Sequence, residues 1–237
     1  EKSHVLFGDC WGYCVSFPLH QKSIRSAILL QWNKGFDIPS CIGQDVAALL
    51  NQAFTKRASA FRVGALVNDT VAVLLARSYE TKECRIGAVL GTGFNAAYWE
   101  DWSEVPKLAP DLYAATMSTI INTEMGGMPL FLEEKVDKII DETSGNPGSQ
   151  LFEKRVSGMY LGMMFERLCE INHLSLPDYS TTAMSTIESN QSIGSLQAIS
   201  ISDRSVQYVA CCLAAIHKRV KCDNGVFEIA IEGSVIE

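Results

Sequence analysis

The sequence lacks the features that mark several classes of protein. No apolar stretch is long enough to span a bilayer, and we expect no signal peptide at Glu1. Positive charge is scarce, since 20 lysines and arginines face 27 aspartates and glutamates. The net charge of -7 disfavours a nucleic-acid backbone or an anionic membrane surface as the main partner. It leaves a nucleotide ligand open, because such a site needs only local donors and a metal ion.

Paired metal ligands are also missing. The eight cysteines form no CxxC pair, and three of the four histidines lie outside any ligand-like cluster. A zinc site would need tighter spacing. Cys211 and Cys212 lie in an apolar helical run, where we interpret them as small buried hydrophobic residues. We therefore expect reduced thiols, no metal site built by the protein alone, and a cytoplasmic location.

Strand-like runs alternate with helical ones along the 237 residues, which suffice for one large domain or two modest ones. The predicted strands are Gly12–Phe17, Ser26–Trp32, Phe61–Val67, Arg85–Leu90 and Val226–Ile231. The predicted helices are Gln44–Ala58, Thr70–Ser78, Leu151–Leu168 and Arg204–Val220. This alternation predicts an α/β architecture.

Two stretches in the second half need separate interpretation. Gly158 and Gly162 lie one turn apart in the predicted helix Leu151–Leu168 and indicate a close approach of two backbones, which we interpret as tight core packing. Ser175–Ser202 is rich in serine and threonine. It is interpreted as a surface connection with at most one short helix.

Asn68-Asp69-Thr70 lies at the junction of a predicted strand and a predicted helix. Ligands in α/β sheets bind at the carboxyl ends of strands, and a carboxylate there can accept a hydroxyl proton in a transition state. The alternative is that this tripeptide only caps the helix, which suits an isolated Asn-Asp-Thr equally well.

Three further features suit a phosphorylated or polyhydroxyl ligand. Gly91-Thr92-Gly93 follows an apolar strand, and its glycines allow a backbone to approach an anion while Thr92 adds a donor. Glu124 and Glu153 are carboxylates in apolar surroundings and suit sugar hydroxyls. Taken singly, the glycines are typical of many α/β turns and each glutamate is an ordinary surface acid.

Taken together, six segments resemble in order and spacing the sugar-binding segments of eukaryotic hexokinases. They are Val15-Ser16-Phe17-Pro18, Trp32-Asn33-Lys34-Gly35-Phe36, Asn68-Asp69-Thr70-Val71, Gly91-Thr92-Gly93-Phe94-Asn95-Ala96, Ile121-Asn122-Thr123-Glu124 and Asn146 to Lys154. The segments Tyr179 to Glu188, Arg204-Ser205 and Gly233-Ser234-Val235 resemble the nucleotide-side segments of that family. The resemblance covers nearly the whole chain.

The resemblance implies a role for each matching residue. Asp69 matches the catalytic base, and Lys34 matches a lysine that contacts the sugar near its reacting hydroxymethyl group. The positions that match sugar-hydroxyl contacts are Ser16, Asn33, Asn68, Asn95, Glu124, Gln150 and Glu153. The positions that match phosphate or nucleotide contacts are Thr92, Gly93, Thr181, Gly233 and Ser234.

It also implies the fold: an α/β, actin-like ATPase (ribonuclease H-like) of two lobes, a sugar kinase whose lobes close on the sugar and exclude water. Residues 1–68 are expected to form part of the small lobe and residues 69–237 the large lobe. We expect the chain to be incomplete at both ends. The Asp-x-Gly-Gly-Thr phosphate loop, which the family carries upstream of the position of Ser16, is absent from the sequence.

The implied reaction is the ATP-dependent phosphorylation of a hexose at its 6-hydroxyl, the first step of glycolysis. The expected partners are ATP, with Mg²⁺ held mainly through the nucleotide, and a hexose such as glucose, fructose or mannose, with no nucleic acid. Without the phosphate loop, this chain alone is expected to be inactive.

An alternative is a hexokinase-like sensor or regulator that binds sugar without turnover. It is motivated by departures from the family pattern, namely Asn33 for threonine, Ala72-Val73 for Gly-Thr and Met125 for tryptophan. Glu232, where the family has aspartate, is a further departure. A third possibility is a purely structural α/β domain, which predicts no stabilisation by glucose.

Overall fold

A computed structural model describes residues 9–32, 34–105, 107, 118–129, 134–220 and 227–236. The chain divides into two compact units, Glu1–Ala72 and Val73–Glu237. No helix in those described ranges is both long and apolar enough to cross a lipid bilayer.

The first unit contains two small sheets and one helix. Its elements are β1 (Cys10–Cys14), β2 (Leu19–Ser23), β3 (Ser26–Leu29), α1 (Val46–Lys56) and β4 (Arg62–Val67). Strands β1 and β4 pair in parallel, and β2 and β3 form an antiparallel hairpin. Their inward side chains form a core with the start of α1 that includes Leu29, Val46 and Leu66.

The second unit is built on a mixed four-stranded sheet. A helix that starts in the first unit, α2 (Asp69–Glu80), leads into β5 (Cys84–Leu90), β6 (Phe94–Asp101) and β7 (Ser118–Asn122), and β8 (Glu228–Glu232) comes at the end. The strand order is β7-β6-β5-β8, with only β8 parallel to its neighbour. The helices between β7 and β8 are α3 (Lys135–Thr143), α4 (Glu153–Val156), α5 (Gly158–Ile171), α6 (Thr181–Ser189) and α7 (Ser195–Arg219).

Most of the predicted elements are confirmed, with shifts of a few residues at their ends, but the helix predicted from Arg204 begins nine residues earlier, at Ser195. The predicted strand Gly12–Phe17 is displaced, since β1 ends at Cys14. The predicted strand Ser26–Trp32 ends earlier, at Leu29. Strands β2, β6 and β7 and helix α3 were missed.

The long predicted helix Leu151–Leu168 is wrong as a single element. It is two helices, α4 and α5, separated by Ser157, whose backbone is extended at φ -91° and ψ 151°. At the break the Gly158 amide donates to the Gly91 carbonyl at 2.8 Å. The apolar periodicity continues across the break, which explains why the sequence predicts one helix.

The prediction of a mostly irregular Ser175–Ser202 is also wrong. It contains all of α6 and the first two turns of α7. The Ser180 hydroxyl caps α6 by accepting from the Ala183 amide. Met184, Ala198 and Ile201 are buried against α5, so a few well-spaced apolar residues hold these serine-rich helices in place.

The cysteine prediction is confirmed for Cys212 only. Cys212 is buried, and burial, with a smaller contribution from Cys211, raises the pKa of its thiol to about 11. Cys211 is exposed on the same helix. Adjacent residues are rotated by about 100° around a helix, so Cys212 faces the core while Cys211 faces solvent, a difference that a window average of hydrophobicity does not resolve.

The carboxylate of Asp45 links the start of α1 to β3. It accepts hydrogen bonds from the amides of Ala47 and Ala48 and from the hydroxyl of Ser26. Burial alone raises the pKa of Asp45, but these hydrogen bonds outweigh it and the pKa lies below its ordinary value. Ionised Asp45 therefore stabilises the folded state.

We predict that this stabilisation is lost in acid. A lowered pKa contributes stability that is complete above the unfolded-state value of about 3.9 and disappears as the pH falls through the folded-state value. Asp45→Asn should therefore reduce the acid-dependent loss of stability below about pH 4, measured by urea denaturation at a series of pH values. Asp37→Asn, an equal charge change at an exposed position of the same unit, is the control. An unchanged acid profile in Asp45→Asn would contradict the assignment.

Candidate functional site

In the first unit, two parallel strands bring three predicted site residues to one edge. The Val15 amide donates to the Val67 carbonyl at 2.9 Å, and Asn68 Nδ2 donates to the Val15 carbonyl at 3.4 Å. Ser16 follows the end of β1, and Asp69 follows the end of β4. The carboxyl ends of parallel strands are where α/β proteins place ligand-binding groups.

The start of α2 is capped mainly by Asn68. Asn68 Oδ1 accepts from the Thr70 amide at 3.0 Å and from the Thr70 hydroxyl at 2.7 Å. Asp69 Oδ1 also accepts from the Thr70 amide, at 2.8 Å. Asn68 and Thr70 are buried, whereas the Asp69 side chain is only half-buried. The capping alternative thus describes Asn68 well, and Asp69 is left as a partly exposed carboxylate at the end of a strand.

Lys34 lies close to the end of β1. Its Nζ donates to the Ser16 carbonyl at 3.1 Å and lies 5.9 Å from the centre of the Phe17 ring. Phe17 packs on Trp32 and Phe36, with ring centres 4.7 and 5.2 Å away. This aromatic group supports the segment that carries Lys34. Asn33 lies outside the described residues.

In the second unit, a polar cluster joins the start of β6 to the end of β7. Asn95 Nδ2 donates to Asn122 Oδ1 at 2.7 Å, and Asn122 Nδ2 donates to Glu124 Oε1 at 2.8 Å. The Thr123 hydroxyl donates to the Ala96 carbonyl at 2.7 Å. The cluster combines amide donors with a carboxylate, which is the chemistry that a polyol requires.

Gln150 and Glu153 lie against the same region. Glu153 is buried, and its Oε2 accepts from the Phe94 amide at 3.0 Å. A Cβ atom added to Gly126 would lie 2.9 Å from Gln150 Oε1 and 3.2 Å from Glu153 Cβ. Gly126 therefore lets these two side chains approach the turn that follows Glu124.

Three predicted site residues share an unusual backbone conformation. Lys34, Glu124 and Gln150 are left-handed, with φ values of 54°, 48° and 54°. Such a conformation costs a non-glycine residue about 1–3 kcal/mol and persists only where surrounding contacts enforce it. Ala58, His173 and Gln191, which are not predicted site residues, adopt the same conformation, so it does not by itself mark the site.

The predicted phosphate-side residues lie around the turn between β5 and β6. Thr92 is exposed at the tip of this turn, and the Gly91 amide donates to the Gly93 carbonyl at 3.0 Å. Ser234 is exposed beside it, after Gly233. A Cβ atom on Gly233 would lie 2.2 Å from the Leu90 carbonyl oxygen, so only glycine fits there.

Thr181 bridges two turns of α5. Its hydroxyl donates to the Gly158 carbonyl at 2.8 Å and accepts from the Gly162 amide at 3.1 Å. A Cβ atom on Gly162 would lie 2.7 Å from the Tyr179 carbonyl oxygen. The interpretation of Gly158 and Gly162 as positions of close backbone packing is confirmed, and the Thr181 hydroxyl is engaged in that packing.

An ion pair between buried Lys154 and partly buried Asp141 lies next to Glu153 in α4. Lys154 Nζ lies 2.6 Å from Asp141 Oδ1. Burial alone raises the pKa of Asp141, but the hydrogen bonds from Lys154 and from the Gly148 amide outweigh it and lower the pKa. Burial raises the pKa of nearby Tyr160, and the charges of Glu153 and Asp141 raise it further.

The clearest pocket does not coincide with the predicted site. It has a volume of about 120 Å³, lies against α3 and α4, and is lined by none of the predicted site residues. Its lining includes Asp137, Lys138, Ile140, Asp141, Leu151 and Lys154. Because its buried charges are paired with one another, we do not place the functional site there. Within the described ranges, no three His, Cys, Asp or Glu side chains are grouped so that they could hold a metal ion.

Two residues of the polar cluster, Asn122 and Thr123, and the neighbouring Gly126 are not among the predicted site residues. Asn122 and Thr123 lie inside a segment that had been singled out, and their polarity at the end of an apolar strand was the available signal. Gly126 carries no such signal, because the close approach of Gln150 depends on tertiary packing.

Two family models match most of the chain. Residues 10–79 match one hexokinase model and residues 85–186 match a second. The chain belongs to the hexokinase family. The matched ranges include the segments around Asp69, Glu124 and Glu153 and exclude the end of the chain.

Individual hexokinases agree with this assignment. The chain is 43% identical to hexokinase-1 of Oryza sativa subsp. japonica over 159 residues, covering 66% of this chain and 32% of the relative. It is 38% identical to a glucokinase of Aspergillus niger over 198 residues, covering 79% of this chain and 37% of the relative. The chain therefore spans about a third of the length of these relatives.

A solved hexokinase also matches the structure. A hexokinase from Schistosoma mansoni, complexed with glucose, superposes with a TM-score of 0.78 at 26% identity, covering 96% of this chain and 60% of that one. The predicted actin-like sugar-kinase fold of the α/β class is thus confirmed.

We predict that Gly126 is required for the packing of this hexokinase chain. Gly126→Ala should lower the free energy of unfolding by about 1–3 kcal/mol, because the new methyl group would overlap Gln150 and the Phe94 carbonyl oxygen. The matched control is Gly127→Ala, where the nearest atom of Gln150 is 3.6 Å away, and its effect should stay within about 0.5 kcal/mol. Urea denaturation measures both, and equal effects would contradict the packing described here.

Proposed function

We propose that the protein to which this chain belongs transfers the terminal phosphoryl group of ATP to the 6-hydroxyl of a hexose, glucose above all, as in the first step of glycolysis. The main observation in support of the proposal is that Asn68 and Asp69 have different roles at the start of α2. Asn68 supplies the helix cap through its hydrogen bonds to Thr70. Asp69 is a half-buried carboxylate at the end of β4, although its Oδ1 also accepts from the Thr70 amide.

In the proposed reaction, Asp69 accepts the proton of the sugar hydroxyl as its oxygen forms a bond to the γ-phosphorus and the bond to the ADP oxygen breaks. Lys34 is proposed to act as a positive charge near the reacting hydroxymethyl group. Its contact with the Ser16 carbonyl keeps the ammonium near the end of β1. The reaction is therefore governed by positioning and electrostatics rather than by covalent catalysis.

The sugar is proposed to be held by amide and carboxylate side chains. Charged and amide groups discriminate between hexoses, because a partner left unpaired by the wrong sugar is penalised. Several of these groups already bond to one another, as Asn95 and Glu124 do through Asn122, so the cluster is ordered before a ligand binds. The proposed contacts are Ser16, Asn33, Asn68, Asn95, Glu124, Gln150 and Glu153.

ATP is proposed to bind at the turn between β5 and β6, where the exposed hydroxyls of Thr92 and Ser234 and the small residues Gly93 and Gly233 suit a phosphate chain. Thr181 would act through α5, because its hydroxyl is engaged there. Mg²⁺, held mainly by the nucleotide, would neutralise charge on the transferring phosphoryl group.

Domain roles and location follow as part of the same proposal. Residues 1–68 would belong to the small lobe and residues 69–237 to the large lobe, close to the division between Ala72 and Val73. A cytoplasmic location is proposed from the reduced cysteines and the substrate class.

A sugar-binding regulator without turnover is the second candidate. It is favoured by the position of Met125, which stands where the family has tryptophan and packs partly buried against the core around Phe152. Because Met125 fills this core position, the substitution preserves the packing beside the proposed sugar contacts. ADP release dependent on both glucose and ATP separates the two candidates.

We predict that Asp69→Asn abolishes turnover, by about 10²–10⁴-fold or more, while leaving the affinity for glucose within about threefold. The change is isosteric and removes only the proton acceptor. ADP release by the whole protein gives the rate, and calorimetric titration gives the affinity. Asp203→Asn, the same change at an exposed position of α7, is the control and should behave as the unmutated protein.

Two results would overturn the proposal. Turnover near the unmutated rate in Asp69→Asn would mean that the base is wrongly assigned. Glucose binding by a well-folded unmutated protein with no ADP release above background would exclude the kinase and leave the regulator.

A further inference from the structure

The loop between α3 and α4 holds a strained conformation just before the predicted sugar contacts. Two of its residues are left-handed, Gly148 with φ 76° and Gln150 with φ 54°. Glycine adopts this conformation freely, whereas Gln150 requires neighbours that enforce it. Contacts with neighbouring residues must therefore keep Gln150 in this conformation.

The buried ammonium group of Lys154 anchors this loop. The side chain of Lys154 is only 3% exposed, and its Nζ contacts Asp141 Oδ1 at 2.6 Å and the Asn146 carbonyl at 2.8 Å. Both carboxylate oxygens of Asp141 in turn accept from the Gly148 amide at 3.0 Å. The ion pair thus holds the loop at two points, Asn146 and Gly148.

The same residue restrains Gln150 from the other side. The Lys154 amide donates to the Gln150 carbonyl at 3.0 Å, and Lys154 follows Glu153 directly in α4. The Gln150 side chain is in turn confined by the turn at Gly126. The Lys154 backbone thus joins Gln150 to Glu153, while its ammonium anchors Asn146 directly and Gly148 through Asp141, just before Gln150.

We expect the Lys154–Asp141 pair to hold the loop in position rather than to add to the stability of the fold. Burying an ion pair costs about as much desolvation energy as the attraction returns, and an apolar pair of similar volume is often as stable. What an apolar pair cannot do is bind the Asn146 carbonyl and the Gly148 amide at once. We propose that Lys154 is a positioning residue that fixes Gln150 and Glu153 and so sets which hexose the site accepts, an inference that rests on the proposed function.

The chain offers a matched control in a second buried ion pair. Arg204 contacts Asp137 through two hydrogen bonds of 2.9 and 3.1 Å, and its other described partners are Glu134 and Met164. None of these residues belongs to the loop. Arg204→Met therefore removes a buried charge of the same sign from the same unit without touching Asn146 or Gly148.

The test compares Lys154→Met with Arg204→Met in the whole protein to which this chain belongs. Calorimetric titration with glucose and with its epimer galactose gives two dissociation constants for each variant, and thermal denaturation reports the loss of stability. We expect Lys154→Met to bind glucose about tenfold more weakly and to reduce the preference for glucose over galactose by at least about threefold. Arg204→Met should lower the melting temperature and leave both constants unchanged.

A second variant covers the case in which Lys154→Met does not fold. Asp141→Asn keeps an acceptor for the Gly148 amide but removes the charge that holds Lys154. It should reduce the preference for glucose in the same direction. Because both changes break one contact, the double variant should lose less than the sum of the single losses.

The possible failures are distinguishable. If the unmutated whole protein binds neither sugar, the proposed function fails and the inference fails with it. If the unmutated protein binds glucose but Lys154→Met and Asp141→Asn keep its preference for glucose, only the inference fails. An equal loss of preference in Arg204→Met would also overturn it, because the effect would then be one of general stability.

Discussion

At the start of α5, three segments of backbone come close together. The Gly158 amide donates to the Gly91 carbonyl, and the Val235 amide donates to the Leu90 carbonyl. A Cβ atom on Gly158 would lie 3.1 Å from the Gly91 carbonyl oxygen. These contacts fix the turn between β5 and β6 against α5 and the end of β8. The proposed nucleotide contacts and the two helices that follow the sugar-contact loop all depend on this close approach.

On that frame, the second unit holds its polar residues in conformations they would not adopt alone. Glu124 and Gln150 have left-handed backbones, and each is restrained by a different set of contacts. Glu124 bonds to Asn122 at the end of β7, whereas the loop before Gln150 is restrained by the ion pair of Lys154. Preorganisation of this kind allows binding energy to be used for discrimination between ligands rather than for ordering the site.

The sequence predicts the fold class and the segments of the site, but not the contacts that order it. Alternating strands and helices and six ordered motifs suffice for the family, because each records a local pattern. The break at Ser157 is invisible, since the apolar period continues through it and only the tertiary bond from Gly158 to Gly91 ends the helix. The serine-rich helices α6 and α7 are missed for a similar reason, because burial on α5 outweighs low local hydrophobicity. The role of Lys154 likewise depends on contacts between segments that the sequence does not place together.

The central claim is that the polar residues around Gly126 bind a hexose. Hydrogen exchange of the chain with and without saturating glucose tests it most directly, because it reports on each segment separately. The account predicts slower exchange with glucose at residues 122–126 and 146–153, and little change in α6 and on the exposed face of α7. Unchanged exchange in both segments at saturating glucose would contradict it.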